Sequence, residues 1–131
     1  MNIQLVGTNQ IDQVWPAIRH QVEKSIQRGL ADDITVADIY ASLRGGQWFL
    51  FVADDLSASL VLRFQFTTKG EIARIVTFSS ERSEDWALWI EKIKKFAKQN
   101  GVNRMVFDGR KGWQRVLPVK LVRCTYEMEC S

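Results

Sequence analysis

The sequence predicts a single α+β domain built on a mixed, mainly antiparallel sheet, and three observations predict it. Apolar residues recur at helical spacing in some stretches and at period two in others, and the period switches at clear turn residues. Between Trp48 and Phe78 the strand patterns follow one another with only tight turns between them, as in an antiparallel meander. The strands at Ile72–Phe78 and Arg104–Asp108 are separated by a helix of about four to five turns, and a crossover of that length makes two strands parallel.

The chain opens on a short strand at Ile3–Leu5. Asp12 is a candidate N-cap for a helix whose apolar positions Val14, Ile18, Val22 and Ile26 share one face. Pro16 is tolerable there only in or just after the first turn, and Gly29 ends the helix. Thr35 and Asp38 have the spacing of a capping box, followed by the apolar stripe Val36, Ile39, Tyr40 and Leu43 and a stop at Gly45-Gly46. Gln47–Ala53 is continuously apolar, as expected of a strand covered on both faces.

Asp54-Asp55 makes a turn into a cleanly alternating strand, with Leu60, Leu62, Phe64 and Phe66 on one face and Val61, Arg63 and Gln65 on the other. Lys69-Gly70 turns the chain into Ile72–Phe78. The helix predicted over Glu84–Gln99 buries Trp86, Trp89, Ile90, Ile93 and Phe96, exposes Lys92, Lys95 and Lys98, pairs Glu91 with Lys95, and stops at Asn100-Gly101. Arg104–Asp108 is the next strand, Gly112 to about Val116 a short helix ending near Pro118, and Leu121–Cys130 a last strand.

Composition narrows the function. The 131 residues match one domain spanning 1–131, and a 46% apolar content suits a packed globule. A balance of 18 basic against 15 acidic residues is too even to argue for nucleic acid. The first residues lack a signal-peptide pattern and no long apolar run occurs, so neither secretion nor a membrane is expected. Cys124 and Cys130 share one strand roughly 20 Å apart and cannot bridge. With one histidine, no zinc site and no Ser/His/Asp triad is expected, and His20 reads as a surface residue.

The order β-α-α-β-β-β-α-β-α-β resembles the GCN5-related N-acetyltransferase (GNAT) fold over nearly the whole chain, with a sheet that splits at its fourth and fifth strands. Two segments, Asp12–Pro16 and Asp108–Pro118, look like short GNAT-like proteins encoded by bacteriophages and prophages among their virion genes. In active GNAT enzymes the strand before the central helix offers backbone to acyl-CoA, and a glycine-bearing turn holds the pyrophosphate. The matching positions here run from Ser79 to Glu84 without a glycine, and Glu81, Glu84 and Asp85 add negative charge. Ser79 and Ser80 read first as helix-capping hydroxyls. The family's general acid is often a tyrosine near the late short helix, where Trp113 stands here, and Tyr126 falls on the apolar face of the last strand. Glu71 and Glu81 flank the central strand, and no catalytic residue is nominated.

The resulting expectation is a phage virion-associated or assembly protein with a degenerate GNAT-like fold and no cofactor. It contacts other virion proteins or copies of itself, in the virion or in the host cytoplasm during assembly. Its interface candidates are Trp15, Arg110, Trp113 and Arg115, the residue types that dominate contact energies. The alternative is an N-acetyltransferase whose acetyl-CoA meets Val76, Phe78, Ser79, Ser80, Arg82 and Ser83. A nucleic-acid-binding module, carried by Arg104, Arg110, Lys111, Arg115, Lys120 and Arg123 around Trp113, comes third.

Overall fold

A computed structural model describes residues 2–28, 34–81 and 85–107. Its elements are β1 (Ile3–Leu5), α1 (Ile11–Arg28), α2 (Val36–Arg44), β2 (Trp48–Ala53), β3 (Ala58–Thr67), β4 (Gly70–Ser80), α3 (Trp86–Gln99) and β5 (Met105–Phe107). The strands lie side by side in chain order, antiparallel up to β4, and β5 runs parallel beside β4 with Ala73 opposite Met105 and Ile75 opposite Phe107. The meander and the parallel step are thus both present. Gly29, Glu84, the short helix at Gly112–Val116, the last strand and the splitting of the sheet beyond Phe107 lie outside the described residues.

The sheet is covered on both faces, which is why Trp48–Ala53 carries no polar residue. On one face α1 and α2 place Ile11, Ile18, Val22, Ile39 and Leu43 over Leu50, Val52 and Val61. On the other, α3 places Trp89, Ile93 and Ala97 over Phe51, Leu60, Leu62, Ala73 and Ile75. Each large side chain so buried contributes about 1.5–3 kcal/mol. Trp86, Ile90 and Phe96, expected in the core, are only half-buried at its rim.

The helix ends follow local chemistry. Thr35 Oγ1 accepts from the Asp38 N–H and the Asp38 carboxylate accepts from the Thr35 N–H, the reciprocal box expected, and these bonds hold the Asp38 carboxyl below its usual pKa. Gly101 ends α3 with φ +77°, a conformation that costs a side-chain-bearing residue but not glycine.

Several expectations are corrected. Asp12 does not cap α1, because a 3₁₀ turn at Thr8–Gln10 leads straight into the helix and puts Asp12 inside its first turn. There its carboxylate accepts from the Tyr40 hydroxyl and pairs with Arg44 at 3.4 Å, tying α1 to α2. Pro16 lies one turn deeper than expected, tolerated on the exposed side of α1. Phe66 is 83% exposed, because its strand runs past the end of α3 and nothing described covers its alternation there. Glu91 pairs with Lys94 at 3.5 Å, not with Lys95.

Candidate functional site

The region with the least regular geometry is the second half of β4. Val61 of β3 lies opposite Thr77 and Leu62 opposite Ile75, so Val76 is an extra residue with no partner, a β-bulge. Ala73 and Ile75 pack on the α3 side, and without the bulge Thr77 would follow them. Instead Phe78 takes that side, against Trp86 at 4.6 Å and Trp89 at 5.4 Å, while Val76 packs on the α1 side.

The bulge shifts the backbone by the same step. The Ala73 N–H donates to the Arg104 carbonyl at 2.9 Å, toward β5, and in a regular strand the N–H groups of Ile75 and Thr77 would point the same way. One inserted residue passes that direction to Phe78. Its N–H donates to Ser25 Oγ, which reaches down from the last turns of α1, at 3.3 Å. Phe107 edges Trp86 at 5.7 Å, so β5, the start of α3, the end of β4 and the end of α1 converge on one corner.

The polar groups at this corner are few. Ser79 and Ser80 are half-buried and pair with Ser59 and Ala58 in the ladder. The residue before α3, Asp85, makes no side-chain cap, so it does not occupy the first N–H groups of the helix. Its Oδ2 is buried without a hydrogen-bond partner among the described residues. Glu81 is exposed at the strand's exit. Glu71 is removed from the site: it lies opposite Phe66 at the hairpin end of β4, roughly 30 Å from Ser80 along the strand.

Of the residues singled out from sequence, Val76, Phe78, Ser79 and Ser80 come together here. Arg82, Ser83, Arg110, Trp113, Arg115, Tyr126 and the rest of the basic run beyond Arg104 lie outside the described residues. Trp15 is half-buried, its ring 5.4 Å from Tyr40 in the α1–α2 cluster, and so is at least partly committed to packing. Ser25 was missed, because a serine on a helix carries no signal of the backbone group it will meet. Among the described residues no cluster of three metal-ligating side chains occurs, and no helix is long and apolar enough to cross a membrane.

No protein-family model matches the sequence. No curated protein matches it either. Solved structures match it over nearly its full length. A predicted acetyltransferase from Clostridium acetobutylicum, solved with acetyl-CoA, superposes with a TM-score of 0.65 at 12% identity, covering 98% of this chain and 95% of that one. An aminoglycoside acetyltransferase from an uncultured soil metagenomic sample, solved with sisomicin, gives 0.67 at 12% identity over 98% and 96%. A GCN5-related N-acetyltransferase from Ralstonia eutropha gives 0.61 at 13% over 99% and 97%. The chain has a GNAT-like fold. These likenesses correct the expectation of a phage virion or assembly protein: many of the full-length structural counterparts are named as acetyltransferases, and nothing among these supports a phage origin.

Proposed function

We propose that the chain is an acyl-CoA-dependent N-acyltransferase, with the acetyl thioester lying at the bulged end of β4 and the pyrophosphate toward the start of α3. The observation that carries it is the Val76 bulge, which turns the Phe78 N–H out of the ladder toward β5. Bulges that free and re-aim backbone groups concentrate beside active sites. The fold shared with an acetyltransferase solved with acetyl-CoA supports the same assignment.

The residues present fit such a ligand unevenly. At the acyl end the Phe78 N–H is a donor held by a helix hydroxyl at 3.3 Å. At the phosphate end the fit comes from the start of α3, whose first N–H groups Asp85 leaves uncapped. No glycine is present at 79–81 to bring the backbone closer, and the Glu81 and Asp85 carboxylates oppose a pyrophosphate. Acetyl-CoA would supply the activated acetyl group. Val76 and Phe78 would orient it, Ser79 and Ser80 would line its path, and the Phe78 ring with Trp86 would keep that flank of the thioester dry.

Calorimetry with acetyl-CoA tests the proposal. A dissociation constant at or below roughly 100 µM, about 5.5 kcal/mol, supports it, and no heat at millimolar ligand removes it.

A further inference from the structure

Ser25 is the one side chain described at the Phe78 N–H, and its hydroxyl has donor capacity left. It accepts from that N–H, so its own hydrogen is not used in the contact. At 3.3 Å the contact is longer than a strong N–H···O bond and is readily exchanged for a better acceptor. The spacing also suits sharing: two donors 3.3 Å apart can both reach one oxygen placed about 2.9 Å from each, the range for donors around a developing oxyanion.

We propose that Ser25 is a second donor to the thioester carbonyl. In the free protein its hydroxyl takes the N–H that the carbonyl oxygen will share. When acyl-CoA enters, Ser25 releases the Phe78 N–H to that oxygen and turns its own O–H onto it. A neutral amine then attacks the carbonyl carbon, the C–N bond forms, and the C=O π electrons move to the oxygen held by Phe78 and Ser25. As the oxyanion collapses the C–S bond breaks, and the proton lost by the amine nitrogen ends on the departing thiolate, leaving an amide and free coenzyme A. The proposal rests on the acyltransferase reading but adds a helix side chain to the backbone of β4. Placed by the bulge on one side and by the Gln21–Leu56 and Asp12–Tyr40 contacts of α1 on the other, Ser25 depends on α1 staying where it is.

The test uses acetyl-CoA labelled with ¹³C at the carbonyl, with plain coenzyme A as the control. Bound to the wild-type chain, the labelled carbonyl stretch should fall below its solution frequency. In Ser25→Ala it should rise back, with acetyl-CoA binding weakened about tenfold, one hydrogen bond's worth, and coenzyme A binding unchanged. Ser25→Thr, which keeps the hydroxyl, should retain the low frequency. Equal loss on both ligands, or no shift of the stretch, overturns the role of Ser25 and leaves the acyltransferase reading standing. If the wild-type chain binds neither ligand, that reading falls and this proposal falls with it. Should Ser25→Ala not fold, the ¹⁵N–¹H signal of Phe78 in the labelled wild type decides: it must move with acetyl-CoA and stay put with coenzyme A, and any other pattern overturns the proposal.

Discussion

The two halves of β4 make different use of the same strand. From Gly70 to Ile75 every residue is paired with β3, and Ala73–Ile75 with β5 as well. Ala73 and Ile75 there serve only to fill the core under α3. From Val76 to Ser80 the register slips by one, every residue but Thr77 is only half-buried, and a backbone donor is taken up by a helix side chain. A single extra residue therefore separates a regular half of the strand from an irregular one. A strand paired on both sides satisfies its backbone groups in its ladders, so it can offer a donor to a ligand only where a ladder is interrupted or ends.

The strongest way to break this contrast is to delete Val76. The deletion makes Thr77, already opposite Val61, the next residue after Ile75, so Phe78 stays on the α3 side against Trp86 and Trp89 while the extra residue and the bend it puts into β4 are removed. The stability lost is the packing of the half-buried Val76 side chain, about 1.5–3 kcal/mol. Acetyl-CoA binding should vanish with it. Denaturant unfolding and calorimetry report the two effects, and undiminished ligand binding by the deletion variant would refute the role given to the bulge.

Trp89→Ala probes the core on which both halves rest. Trp89 is fully buried, and its truncation should cost about 3–5 kcal/mol without altering which N–H faces β5. Trp89→Phe should cost much less, because the indole N–H has no hydrogen-bond partner among the described residues and its removal forfeits none. Thermal melting of the pair checks the difference.

Tyr40→Phe sharpens the contrast from a distance, since Tyr40 and Arg44 anchor through Asp12 the helix that carries Ser25. The hydrogen bond to Asp12 holds the Tyr40 hydroxyl above its usual pKa. A group whose pKa is raised by folding stabilises below its unfolded value, about 10, and loses that contribution as pH rises through the folded value. The wild type should thus exceed the variant in stability at neutral pH, and the gap should close above about pH 10. Urea titrations across that range measure it. The smallest effect belongs to Phe66→Ser at the hairpin end, where an exposed ring should be replaceable within about 0.5 kcal/mol and without change in acetyl-CoA affinity.

The glycine-free turn after Ser79 pointed away from acyl-CoA chemistry, while the function proposed from the Val76 bulge runs the other way. The side chains of that turn bear on the phosphate end alone. The backbone donor at Phe78 depends on register between strands, and Val76 looks the same in sequence whether it is paired or bulged. Phe66 taught the same lesson for burial: its alternation was correct, but how far a helix extends over a sheet is not encoded in the strand beneath it.

The sequence by itself determined the order and type of the described elements, the Thr35–Asp38 box, the antiparallel meander and the parallel return to β5. Each of these follows from residues a few positions apart or from the length of a connection. Only the tertiary structure decided the bulge, the exposure of Phe66, the tie from Tyr40 to Asp12 and the meeting of Ser25 with Phe78. Ser25 and Phe78 are 53 residues apart, and their contact exists because α1 packs across a sheet whose register slips at Val76. Local chemistry sets what each segment becomes, and cross-chain packing sets which of its backbone groups remain free to act.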